Sequence, residues 1–206
     1  MTKPELTTAD RLSLYRSTIF FQWLIVAFVA WRCIARAVDP AELGLVVTDI
    51  RRVLWTTIVL TAILCANQVV GLRRIASLPE GKRRPYFAIT EKIMPRSLPE
   101  TLVFAALACT AGLSEEFLYR GFVFMAFTRM MVHYGPSLVA AAIFSSIWFS
   151  VAHLYQGWRG SITTFVVGMI FSSIRIWTAS LVPVIFAHIA IDLIAGILLP
   201  KFLWKA

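Results

Sequence analysis

Residues 181–199 have the sequence LVPVIFAHIAIDLIAGILL, in which only His188 and Asp192 can carry a charge. A helix of about 20 apolar residues crosses the hydrocarbon core of a bilayer, so this stretch predicts a membrane span. Comparable apolar stretches lie at residues 18–38, 53–72, 98–132, 137–155 and 161–177. The sequence therefore predicts an all-α, polytopic membrane protein, a bundle of six to seven transmembrane helices.

The composition agrees with this class of protein. Of the 206 residues, 59% are hydrophobic and 15% are charged, and the mean hydropathy is +0.76. A soluble domain has roughly 45–50% apolar and about 25% charged residues. These values exclude a water-soluble enzyme, a disordered chain and an ordinary nucleic-acid-binding domain, and we expect no nucleic-acid partner.

The formal net charge of +9 is concentrated in one region. Seven of the 20 cations lie within residues 73–96, between two apolar stretches: Arg73, Arg74, Lys82, Arg83, Arg84, Lys92 and Arg96. Cytoplasmic loops of membrane proteins carry such an excess of Lys and Arg, and anionic lipid headgroups are their expected partners. The pattern predicts a cytoplasmic loop here and a cytoplasmic N-terminus.

The chain divides into two predicted parts. Residues 1–96 form an N-terminal region with two spans and the basic loop, and residues 97–206 form the core that carries the chemistry. Within 98–132 the polar residues Glu115 and Glu116 interrupt the apolar sequence. If this stretch is one long helix there are six spans, as the charge bias favours. If the chain turns back at Glu115 there are seven, which brings Glu115 closer to the depth of His153.

Ionisable residues inside apolar helices are the informative ones, because each costs about 2.5–3.5 kcal/mol near the bilayer centre on insertion scales. They are Glu115, Glu116, Arg120, Arg129, His153, Arg175, His188 and Asp192. Glu116 and Arg120 share a helix face at i,i+4 and can neutralise each other, and His188 and Asp192 have the same spacing. For Arg129 and Arg175, near helix ends, we expect snorkelling to the interface.

Each remaining residue also has a simpler interpretation. Glu115 and Glu116 fit the acidic first turn of a helix capped by Ser114, and His153 fits an interhelical hydrogen bond. His188 and Asp192 fit a structural pair. Together, however, they supply what the activation of water requires. Glu115 can act as general base with His153, while His188 and Asp192 can polarise a carbonyl group or hold a metal ion such as zinc.

Three motifs resemble those of a known family. Residues 115–121, EEFLYRG, match the Glu-Glu-x-x-x-Arg signature of the CPBP intramembrane proteases, the relatives of the type II CAAX prenyl endopeptidase often described as abortive-infection proteins. Residues 149–153, FSVAH, match Phe-x-x-x-His, and residues 188–192, HIAID, match His-x-x-x-Asn/Asp. The motifs occur in the family's order on separate apolar segments, and the resemblance covers about residues 97–199.

The resemblance implies an all-α membrane fold around a polar intramembrane cavity and a peptide-hydrolysing activity. If zinc takes part in the reaction, the protein would be a metalloprotease. It implies these site residues: catalytic Glu115, His153, His188 and Asp192, a supporting ion pair of Glu116 and Arg120, and Phe149 behind the site. The prenyl endopeptidases have Asn where this chain has Asp192. An amide can donate to an oxyanion and an ionised carboxylate cannot, so Asp192 must be protonated, orient His188 or ligate a metal.

The function predicted on this basis is an intramembrane endopeptidase that hydrolyses a membrane-associated protein or peptide through a water activated by Glu115. One alternative is a non-catalytic membrane scaffold or immunity protein on the same fold. Another is a small proton-coupled transporter, although the sequence has no inverted repeat of the kind transporters carry. The small size and short loops predict the plasma membrane of a prokaryote.

Overall fold

The computed structural model describes residues 6–79, 90–135 and 137–203. In this part of the chain every regular element is helical, and Lys82, Arg83 and Arg84 of the basic stretch lie outside it. The helices are α1 (Thr8–Ala35), α2 (Ile50–Ala76), α3 (Thr90–Ile93), α4 (Leu98–Glu115), a π-helical segment (Glu116–Val123), α5 (Phe124–Met131), α6 (Ser137–Ala152), a 3₁₀ turn (Leu154–Gln156), α7 (Gly157–Thr178) and α8 (Val182–Leu203).

Within the described residues, five continuous helical stretches are long and apolar enough to cross a membrane: Thr8–Ala35, Ile50–Ala76, Leu98–Met131, Leu154–Thr178 and Val182–Pro200. They make the chain an integral membrane protein. The sequence predicted at least six spans, and the difference lies in the stretch 137–155. Helix α6 ends at Ala152 after 16 residues. At 1.5 Å per residue it is about 24 Å long, which is shorter than the hydrocarbon core of about 30 Å.

The chain does not turn back at Glu115. Helix α4, the π-helical segment and α5 form one continuous helix over Leu98–Met131, as the six-span alternative required. Ser114 is not a helix cap, because it lies inside α4 and its hydroxyl donates to the carbonyl oxygen of Ala111. The acidic pair therefore lies within a helix, at the point where its turns widen from α to π. Such π segments occur frequently at functional sites.

Helices α4 and α8 approach each other closely at Gly112. A Cβ atom added there would lie 2.4 Å from the side chain of Ile189 and 3.1 Å from its backbone nitrogen. Only a residue without a side chain allows this approach. Because Glu115 and Glu116 follow one turn later in the same continuous helix, the contact brings both of them toward His188 on α8.

The loop between α1 and α2 is held by two arginines for which the sequence predicted snorkelling. Arg175 of α7 is buried, and its guanidinium donates to the carbonyl oxygen of Glu42 at 3.0 Å. Arg129 of α5 forms two hydrogen bonds of 2.8 and 2.6 Å with the Glu42 carboxylate. The prediction was wrong for Arg175, whose charge is directed into the protein. Gly44 lies against the same guanidinium with φ +73°.

Candidate active site

Glu115 and His153 face each other across the end of α6. His153 Nε2 lies 3.8 Å from Glu115 Oε2, and the two side chains are 16% and 17% exposed. His153 is not part of a helix as the sequence predicted, because α6 ends at Ala152 and His153 begins the turn that follows. This turn directs its ring toward α4.

The tautomer of the His153 ring follows from the contact of Nδ1, the ring nitrogen that does not face Glu115. Nδ1 lies 2.8 Å from the carbonyl oxygen of Phe149. A carbonyl oxygen can only accept a hydrogen bond, so Nδ1 carries a hydrogen. In the neutral ring, Nε2 is then the nitrogen with a free lone pair, and it is the one that faces Glu115.

Glu116 lies next to Arg120 and His188. Its Oε1 accepts a hydrogen bond from Arg120 Nη1 at 3.1 Å and another from His188 Nδ1 at 2.7 Å. Glu116 and Arg120 are completely buried. A buried charge requires such compensation, because removing it from water costs several kcal/mol. The sequence pointed to the pair with Arg120, whereas the contact with His188 crosses 72 residues and was not anticipated.

His188 therefore has one acidic neighbour on each ring nitrogen. Nδ1 bonds to Glu116, while Nε2 lies 3.6 Å from Asp192 Oδ2. The Asp192 side chain is 38% exposed and lines the same cavity as His188. The orienting contact of His188 is thus made by Glu116, and Asp192 is on the cavity side of the ring.

Phe149 packs behind these groups. The centre of its ring lies 4.5 Å from that of His153 and 6.1 Å from that of His188. The Arg120 guanidinium carbon lies 4.0 Å from the same ring centre and 5.5 Å from that of Phe171. The aromatic faces provide a favourable environment for the buried cation, so Phe149 contacts both histidines and the arginine.

A cavity of about 540 Å³ adjoins these side chains. Its lining includes all four residues for which the sequence predicted a catalytic role: Glu115, His153, His188 and Asp192. Four carboxamides line it as well: Gln22 of α1, Asn67 and Gln68 of α2, and Gln156 of the 3₁₀ turn. A second cavity of about 530 Å³ also contains Glu115 and His153 in its lining, together with mainly apolar residues of α1 and α4.

The possible ligands of a metal ion at this site are Glu115, His153, His188 and Asp192. Among the residues that the structure describes, no three His, Cys, Asp or Glu side chains are grouped so that they could hold a metal ion. Zinc needs three or four ligands at about 2.0–2.3 Å. Each histidine keeps Nε2 free of these bonds, because its Nδ1 is bonded to Glu116 or to the Phe149 carbonyl group, as is usual for metal-binding histidines. The deciding observation is therefore that the described side chains form no group of three ligands. The side chains as placed do not fit a zinc site.

Gln22 was missed by the sequence analysis. Its Nε2 donates to Glu115 Oε1 at 2.9 Å, although α1 carries none of the three motifs. A signal was present, since a carboxamide in the middle of the apolar sequence FFQWLIVAF is costly in lipid unless it finds a partner. The same signal marks Asn67 and Gln68 in α2.

The comparisons with known proteins address this same region. Residues 97–194, a little under half of the chain, match the family model described as type II CAAX prenyl endopeptidase Rce1-like. The match includes all three motifs. No curated protein and no solved structure matches the chain. The resemblance predicted from the motifs is thus confirmed, because residues 97–194 are similar to the Rce1-like family, a family of proteases.

Proposed function

We propose that the protein is an intramembrane endopeptidase in which Glu115 and His153 activate a water molecule. The observation that carries the proposal is the 3.8 Å separation between Glu115 Oε2 and His153 Nε2 at the cavity wall. This distance is too long for a direct hydrogen bond. A water molecule on the cavity side can donate one hydrogen to each atom, which leaves its lone pairs for attack.

In the first step the water oxygen attacks the carbonyl carbon of the scissile peptide bond, and Glu115 accepts the water proton. His153 holds the water through Nε2, since Nδ1 is engaged with the Phe149 carbonyl group. The negative charge moves to the carbonyl oxygen of the tetrahedral intermediate. A positioned general base of this kind typically contributes about 10²–10⁴-fold to the rate.

The oxyanion needs a hydrogen-bond donor, and the His188–Asp192 pair supplies one when it shares a single proton. With the proton on Nε2, the imidazolium donates directly. With the proton on the Asp192 carboxyl group, that group donates, as the Asn of the prenyl endopeptidases can. Glu116 fixes the ring by binding Nδ1, so only Nε2 is available to the cavity.

The intermediate collapses when the bond between carbon and nitrogen breaks. Glu115 then returns its proton to the departing nitrogen, which gives the amine. The other product keeps the water oxygen and the second water proton, and this proton passes to the amine to leave a carboxylate and an ammonium group. Atoms and charge balance without a further reactant. No step is assigned to zinc, because the side chains as placed do not fit it.

The substrate class follows from the location of the site. Glu115 lies on the apolar helix α4 and His153 directly follows the apolar helix α6, and the site is open toward two largely apolar cavities. A peptide or protein segment associated with the membrane can reach them, while lipids surround the helices. We further propose that the N-terminus is cytoplasmic and that the protein resides in the plasma membrane of a prokaryote, as the basic stretch and the short loops favour.

The proposal is tested with the purified full chain in liposomes and a library of internally quenched peptides on an apolar anchor of about 20 residues. We expect the wild type to cleave members of the library and Glu115→Gln to lower the rate at least about 100-fold. Glu42→Gln makes the same chemical change in a loop away from the cavity and should leave the rate unchanged. Wild-type activity in Glu115→Gln, or no cleavage by the wild type, would contradict the proposal.

A further inference from the structure

Gln22 of α1 makes a direct contact with the proposed general base. Its Nε2 donates to Glu115 Oε1 at 2.9 Å, across 93 residues of sequence. The residue lies in neither the three motifs nor the matched region 97–194. Gln22 also lines both cavities that meet at Glu115.

The two oxygens of Glu115 have different surroundings because of this bond. Oε1 is taken by Gln22, and Oε2 faces His153. A carboxylate on a helix can rotate about its side-chain torsions, and a hydrogen bond to one oxygen fixes where the other points. The donor also carries no charge, so it orients Glu115 without neutralising it as an arginine would.

Helix α1 is held against α4 by contacts independent of Gln22. Near the site, Trp23 Nε1 donates to Thr110 Oγ1 at 3.3 Å. At the other end of α1, buried Arg11 binds buried Glu100 through two hydrogen bonds of 3.0 Å. Gln22 is thus carried on a helix whose position does not depend on the Gln22–Glu115 bond.

We infer that Gln22 is a positioning residue, which holds Glu115 Oε1 so that Oε2 is directed at the water shared with His153. The inference rests on the proposed function for its catalytic consequence. The orientation of the Glu115 carboxylate by Gln22 does not depend on proteolysis. It also gives the N-terminal region a part in the site: α1 completes a centre whose other residues come from the matched region.

The experiment compares Gln22→Met with Trp23→Phe in the full chain. Methionine keeps the length of the side chain but lacks the donor, while Trp23→Phe removes another hydrogen bond between α1 and α4 that does not involve Glu115. With an anchored quenched peptide that the wild type cleaves, we expect Gln22→Met to lower kcat about 10- to 100-fold, the range typical of an orienting partner. KM should change much less, and Trp23→Phe should retain the wild-type kcat.

A second measurement is independent of activity. Infrared difference spectra of protein with ¹³C-labelled glutamate, with Glu115→Gln used to assign the band, report the carboxyl stretch of Glu115. We expect this band to shift in Gln22→Met and to stay in place in Trp23→Phe. An unchanged band, or equal losses of kcat in the two variants, would overturn the inference. If the wild type cleaves no peptide while the band shifts, the proposed function fails and the orienting role of Gln22 stands.

Discussion

The Glu116 carboxylate joins His188 to Arg120 through a single oxygen atom. His188 Nδ1 lies 2.7 Å and Arg120 Nη1 lies 3.1 Å from Glu116 Oε1. The residue beside the proposed general base therefore has a separate task. It compensates a fully buried cation and fixes a ring that faces the cavity.

Removing the charge of Glu116 should destabilise the protein more than removing that of Glu115. We expect Glu116→Gln to lose about 3–5 kcal/mol of stability, because Arg120 then remains buried without its counter-charge. Thermal unfolding of the purified protein in detergent measures the effect. The double variant Glu116→Gln/Arg120→Met should recover much of the loss, and a double variant as unstable as the single one would contradict this account.

Asp192→Asn should retain hydrolysis, whereas Asp192→Leu should lose it. An amide can donate a hydrogen bond to an oxyanion and leucine cannot. Rates on the same anchored peptide, with KM and kcat separated, provide the measurement. If Asp192 acted as a metal ligand, both changes would abolish activity, and the activity of the wild type would depend on added zinc. An inactive Asp192→Asn with normal thermal stability would therefore contradict the donor role.

Gly112 sets the approach of α4 to α8, so a larger residue there should disturb the site. A Cβ would lie 2.4 Å from Ile189, and overpacking of this kind typically costs about 1–3 kcal/mol. We expect Gly112→Ala to lower the unfolding temperature. Gly71 on α2 has no atom within 4 Å of the corresponding position, so Gly71→Ala is the matched control and should not lower it.

The Glu42–Arg129 pair should make stability weakly dependent on acidity. The hydrogen bonds from Arg129 hold the pKa of Glu42 below its ordinary value of 4.5. The stabilisation that this ion pair gives the folded state is therefore present above pH 4.5, and it disappears as the pH falls through the lower pKa that Glu42 has in the folded state. Both side chains are about half exposed, so the expected effect is less than about 1 kcal/mol. Unfolding temperatures of the wild type and Glu42→Gln should converge in acid.

Much of this structure follows from the sequence, because its signals are local. Apolar stretches of about 20 residues predicted the long helices, and four of the eight ionisable residues identified within these stretches line the cavity. The i,i+4 spacing of Glu116 and Arg120 was sufficient to predict their contact. In contrast, the end of α6 at Ala152 could not be read from the sequence, since residues 153–155 continue the apolar pattern without a breaker.

The contacts that escaped prediction join residues far apart in the chain. Gln22 reaches Glu115 across 93 residues, and Glu116 reaches His188 across 72. Spacing along one helix carries no information about such pairs. The polar character of Gln22 in an apolar span predicts that it has a partner, but only the packing of α1 against α4 determines which one.

The π-helical segment at Glu116–Val123 sets an angular offset within a single helix. An α-helix advances about 100° per residue and a π-helix less, so α5 is rotated relative to the direction that α4 alone would give it. Phe124 and Met125 are buried with this rotation in place. Because a π segment holds about one residue more than an α-helix for the same total rotation, deleting one residue between 121 and 123 would restore the α pitch and leave both side chains on their present face. The π-helical segment is therefore the part of this helix that can lose one residue without changing the faces that α4 and α5 present to their neighbours.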